Sequence, residues 1–240
     1  MVAAILWRTY QPAVQQVAQP HIPTLFTADL PTACQQVVLV LTPNDHSPNA
    51  RLWRLERDPG QPWHTITTPI DITWGHQGLA WGTGEHTANP PPGFRIKHEG
   101  DKCSPAGIFR IPFAFGIAPA SDATWLKLPY TPLTPDIIGV DDPKSAYYNQ
   151  VVSKLQVPTP DWDSDEPMSR HTVLYQWGAF IANNPQHVPG LGSCIFFHLW
   201  PGPGLGTSGC TAMSAENLKV LLAWLDPKKE PRLVQGMEGW

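Results

Sequence analysis

Hydrophobic and polar positions alternate at short range along most of the chain, and the runs they form are brief. Gln36–Thr42 (QVVLVLT) is a β-branched apolar run that predicts a buried strand. Arg51–Arg57 and Trp63–Thr68 flank Asp58-Pro59-Gly60, which predicts a hairpin. Pro69–Thr73 and Leu79–Trp81 read as a short strand and its exit. Gly107–Pro112, Val173–Ala182 and Ser193–Leu199 read as further strands. One helical pattern stands out late in the chain. Ser214 is placed as N-cap, Leu218, Leu221, Leu222 and Leu225 follow at helical spacing, and Asp226-Pro227 ends the run. Prolines at positions 12, 20, 23 and 31 make residues 1–33 a Pro-rich N-terminal arm, with one or two helical turns at most over Ala13–Ala18. Residues 34–240 then form one domain, with a long ordered insertion over about 119–170 where Pro, Asp and Ser crowd out clear elements. The fold class predicted is mainly β.

Composition narrows the functions open to such a chain. Its 240 residues carry a formal net charge of −4, and only 15% are charged, so no concentrated basic surface for nucleic acid is expected. With 42% hydrophobic residues it is not a disordered chain, and no apolar run approaches the roughly 20 residues of a membrane span. The apolar patch Val2–Trp7 lacks the basic flank and length of a signal peptide, so a removed leader or another export route both stay open. The four cysteines, Cys34, Cys103, Cys194 and Cys210, contain no C-x-x-C pair, and one or two bridges remain open among them. Cys194, inside an apolar run, reads as a small buried hydrophobe.

The chemistry concentrates in Phe196–Ser214, FFHLWPGPGLGTSGCTAMS. An apolar strand delivers His198 to its end, a Gly/Pro-rich loop returns to Cys210, and a helix is expected four residues later. A thiolate is the nucleophilic form of cysteine, and a nearby imidazole or a helix N-terminus favours it. Backbone N–H groups of the Thr207-Ser208-Gly209-Cys210 turn could hold an oxyanion. Together these features point to acyl transfer; a hydrogen-bonded structural histidine and an inert thiol are the alternative. Asp161, Asp163, Asp165 and Glu166 lack the Gly and distal Glu of an EF-hand loop and read as a solvated acidic loop. The nine histidines form no H-E-x-x-H spacing, so neither a metal nor another cofactor is expected.

At these residues the chain resembles the L,D-transpeptidase catalytic domain (YkuD-like), in a divergent branch with a Ser-Gly-Cys-Thr-Ala turn. The resemblance rests on Phe197-His198 and Ser208-Gly209-Cys210, on Lys97–Gly116 (KHEGDKCSPAGIFRIPFAFG), on Gln36–Gly82, on Asp141-Asp142-Pro143 with Tyr148-Asn149, and on the VPGLGSCIF stretch from Val188. It spans roughly residues 34 to 235. The better-known members carry His where Ser208 stands and Arg or Asn where Ala212 stands.

The resemblance implies a β-sandwich or barrel of mixed short strands, with Cys210 as nucleophile and His198 as general base. Ser208, Gly209 and Thr211 would shape the oxyanion turn, with N–H groups from Gly209 and Cys210. Lys97, Tyr148, Asn149, Arg170 and Trp200 are the candidate substrate contacts. The implied partner is a diaminopimelate-containing peptidoglycan stem peptide, handled by a monomer outside the cytoplasm, in the periplasm or cell wall. The implied reaction is stem-peptide cross-linking through a cysteine thioester. A peptidoglycan amidase or L,D-carboxypeptidase using the same pair, or a non-catalytic wall-binding module, are the alternatives.

Overall fold

The computed structural model describes residues 20–240; the Ala13–Ala18 turns lie outside them. Helix α1 (Thr24–Thr27) comes first. The strands that follow are β1 (Gln36–Thr42), β2 (Asn49–Glu56), β3 (His64–Thr65), β4 (Ile70–Thr73) and β5 (Leu79–Trp81). Next come β6 (Ser104–Arg110), β7 (Ala114–Gly116), β8 (Tyr130–Pro132), β9 (Ile137–Val140), β10 (Gln150–Ser153) and β11 (Asp165–Glu166). The last are β12 (Trp177–Phe180), β13 (Phe196–Leu199), β14 (Thr211–Met213) and β15 (Arg232–Met237), with helix α2 (Ala215–Trp224) between β14 and β15. Twelve strands make one mixed sheet in the order β5-β6-β15-β1-β2-β4-β14-β13-β12-β7-β8, with β3 paired to β2. A second sheet, β10-β9-β11, is made wholly from the 119–170 segment.

The mainly-β reading holds. β1 matches its predicted run, and every one of its residues is buried, as a β-branched strand flanked on both edges requires. The hairpin forms with Gln61 N–H on Asp58 O at 2.9 Å, although β3 keeps only two residues. Ser214 caps α2, its hydroxyl accepting from Asn217 N–H at 3.3 Å.

Four expectations change. The Val173–Ala182 strand shrinks to Trp177–Phe180, because Val173 is exposed and the chain turns through 172–175. Ser193–Leu199 likewise begins as a strand only at Phe196, after Cys194 takes a positive φ of 52°. β15 is an added strand between β1 and β6: its apolar run is only Leu233-Val234, flanked by Arg232 and Gln235-Gly236, so no strand pattern marks it although Arg232 and Gln235 are buried. The 119–170 segment holds four strands rather than few elements. All four cysteines are free and buried.

Alternation sorts the central strands into two faces. Phe197, Leu199 and Met213 enter the main core with Leu218, Leu221 and Leu222 of α2. Phe196, Phe180 and Cys210 face the other way, into a second cluster with Phe115, Tyr175 and Cys194. Residues 20–33 lie on the body through fully buried Phe26, which meets Trp81, His86 and Trp240.

Candidate active site

β13 and β14 run parallel, pairing Phe197 with Thr211 and His198 with Ala212. One step back along that register sets Phe196 beside Cys210, and Phe196 N–H donates to Cys210 Sγ at 3.3 Å. Residues paired across a ladder point the same way, and so do residues two apart on a strand. His198 and Cys210 therefore share one face as diagonal neighbours, and the thiol donates to Cys194 O at 3.7 Å. Both line a cleft of about 890 Å³. The second sheet and the 97–102 turn supply its walls through Asp141, Asp165, Glu166, Lys97, Glu99 and Lys102.

The turn before Cys210 is built from side chains as well as backbone. Thr207 Oγ1 donates to Cys210 O at 2.6 Å and accepts from Gly209 N–H at 3.1 Å. Ser104 Oγ donates to Gly209 O at 2.6 Å, tying the turn to β6. Gly209 sits at φ +145°, and a Cβ there would lie 3.0 Å from Cys103 O and from Ile195 Cδ1, so glycine is required twice over. With Thr207 N–H on Trp74 O and Gly209 N–H on Thr207 Oγ1, the Ser208 and Cys210 N–H groups are the turn amides without a hydrogen-bond partner among the described residues, and Cys210 N–H is the one on the candidate nucleophile itself.

Electrostatically the pair is neutral. Cys210 is 9% exposed; burial, reinforced by the Glu166 charge, pushes its thiol up to about 12. Burial likewise pulls His198 down to about 4. His198 Nδ1 lies 2.7 Å from Leu199 O. A carbonyl only accepts, so Nδ1 carries the proton and Nε2 keeps a lone pair. The Tyr175 ring stands edge-on to the imidazole at 5.4 Å.

One electrostatic expectation is corrected. β14, missed in the sequence, intervenes between Cys210 and α2 and carries the chain roughly 10 Å onward. The helix N-terminus is therefore too far from the thiol to lower its pKa, since dipole effects fade within a turn.

The other named residues fall into two groups. Lys97 lines the cleft, but its Nζ is held 2.5 Å from Asp101 Oδ1 and both side chains are buried. Ser208 and Gly209 line it too, and Ser208 is exposed. Tyr148, Asn149, Arg170, Trp200 and Thr211 do not line it. Tyr148 is buried with its hydroxyl on the Glu99 carboxylate. Asn149 donates to Asn183 O and Asn184 O and accepts from Cys194 N–H at 2.9 Å, which fixes the approach to β13. Arg170 is exposed, and Trp200 is half-buried with its backbone N–H on Met213 O. Thr211, one residue past Cys210, turns to the opposite face and donates to Gln235 Oε1 at 2.7 Å.

The acidic run divides in the same way. Asp161 accepts from Ser145 Oγ and Ala146 N–H. Asp165 and Glu166 belong to β11 and line the cleft, so they are not part of a solvated loop. Glu166, with Tyr175, is the site component that sequence reasoning missed; no local pattern marks it, because a long-range pairing of β11 with β9 brings it there.

A family model, the L,D-transpeptidase catalytic domain (YkuD), matches residues 49–234. The chain belongs to the L,D-transpeptidase catalytic-domain family. Its catalysis is accordingly of the L,D-transpeptidase class, and the matched span contains every residue that lines the cleft, from His76 through His198 to Cys210. Neither a curated protein nor a solved structure matches the chain. Among the described residues no helix is long and apolar enough to cross a membrane.

Proposed function

We propose that this L,D-transpeptidase-family protein cross-links peptidoglycan stem peptides, outside the cytoplasm, through a thioester on Cys210. The observation that carries the reading is the placement of Cys210 and His198 on one face of paired parallel strands, on the floor of a single cleft. The thiol and imidazole begin neutral, so no thiolate waits in the resting enzyme. As Cys210 Sγ attacks a carbonyl that follows an L-centre, its proton passes to His198 Nε2. The Cys210 N–H stabilises the developing oxyanion. His198 then protonates the leaving amine and the thioester remains. The amine of a second stem, typically that of diaminopimelate, attacks in turn and completes the cross-link.

Treatment with a carbapenem tests the first half. The intact protein gains one covalent adduct by mass, and Cys210→Ala gains none; an unreactive native protein would instead favour a wall-binding module. Incubation with sacculi and mass analysis of muropeptides tests the second half. Cross-linked dimers are expected, whereas trimmed monomers alone would replace this reading with an amidase or carboxypeptidase using the same pair.

A further inference from the structure

Proton accounting in the cleft leaves one group unassigned. An acceptor amine reaches the thioester as an ammonium and must lose two protons before an amide and a free thiol result. His198 has only Nε2 to offer, because Nδ1–H is committed to Leu199 O. One base therefore serves one of the two protons.

Resting on the thioester reading above, we propose that Glu166 is the second base, taking the first proton of the incoming ammonium. Its carboxyl lines the cleft that holds Cys210. Its Oε1 accepts from the Tyr175 hydroxyl, whose ring packs against His198, so the carboxyl is anchored to the imidazole through one side chain. The groups facing it are Tyr175 and His171 from the segment before β12, Asp141 just after β9, and the Cys194 and Cys210 thiols on the floor. Asp165, its neighbour on β11, is turned to Lys154 at 2.9 Å. Beside it on the wall, Asp141 Oδ1 is buried with no hydrogen-bond partner among the described residues, an open acceptor that suits an ammonium N–H. Burial raises the Glu166 carboxyl above the usual carboxylate range, which makes it a better base.

The step balances. Glu166 carboxylate takes one proton and becomes the acid, while the free amine forms a bond to the thioester carbon and the carbon–sulfur bond breaks. The second amine proton passes by His198 Nε2 to the Cys210 sulfur. Glu166 acid then returns its proton to the amine released in the next acylation, so no proton is gained or lost over a cycle.

The experiment divides one acyl-enzyme between two acceptors at pH 7. A stem tetrapeptide is the donor; the side-chain amine of a second stem, an ammonium at this pH, competes with hydroxylamine, which is already a free base. The ratio of amide to hydroxamate is read by mass spectrometry and is independent of how much enzyme is folded or acylated. In Glu166→Gln the ratio falls on the order of 100-fold, the lower end of general-base effects, and Glu166→Asp recovers part of it. An unchanged ratio in Glu166→Gln overturns the role of Glu166. If the native enzyme forms neither product, the thioester reading itself fails.

Discussion

Two buried ionisable groups set the pH behaviour of the site. His198 is depressed to about 4 and Cys210 raised to about 12, so across the range between them the pair is imidazole and thiol. Carbapenem acylation is expected to show a plateau through neutral pH and to fall only as pH drops through about 4, with no inflection near the ordinary histidine value; stopped-flow rates from pH 3.5 to 8 check this. Stability follows the same linkage. Below about 6.5 the unfolded imidazole binds a proton that folded His198 refuses, so stability is lost as pH falls from there towards 4. Cys210 acts at the other end: above 9 the unfolded thiol ionises while the folded one does not, and stability declines as pH rises towards 12. The buried Lys97–Asp101 pair gives a second test. Asp101 also accepts from His98 N–H and Cys103 N–H, so Asp101→Asn strands an ammonium and loosens the cleft turn. A loss of about 3–5 kcal/mol in urea denaturation is expected. Cys210 and His198 could be read from the chain because each stands where an apolar run meets a Gly-rich turn. Glu166 could not, since its partners Tyr175 and Asp141 are 9 and 25 positions away, and only the paired strands β9 and β11 bring them to one wall.

The elements were legible in proportion to their local pattern. β1 and α2 follow from β-branched runs and leucine spacing, whereas three-residue β14 leaves no periodicity to see. That short strand matters most to the site, because its parallel pairing with β13 sets the His198–Cys210 diagonal. Gly209→Ala forces a Cβ against Cys103 O at a positive φ, and should shift the turn enough to slow acylation while leaving the rest of the sheet intact. Acylation rate beside far-ultraviolet circular dichroism separates the two effects. Ser214→Ala, in contrast, removes the cap of α2 on the far face of the sheet. It is expected to cost about 1 kcal/mol in thermal unfolding with acylation retained.

At the scale of the whole molecule, the family was legible because its motifs fall in order along the chain, while sheet order was not, since it depends on pairings between distant strands. We propose that residues 20–33 serve the 34–240 domain as a docked arm. Phe26 is fully buried against Trp81 and Trp240. Phe26→Ala should destabilise the fold by about 3–5 kcal/mol, as measured by denaturant midpoint, with the cleft chemistry unchanged once folded. The place of β15 between β1 and β6 has a consequence for the order of assembly. The strand that begins the sheet and the strand that joins it to β6 are separated by some 190 residues of sequence, a long loop to close before the contact is rewarded. Until Arg232–Met237 leaves the ribosome, β1 and β6 each present an unpaired edge, and the nascent chain is open to chaperones and to other chains alike. Slow, late closure of this kind would make the last strand the seam of the whole sheet, so that losing it would undo the assembly of both halves rather than fray one edge.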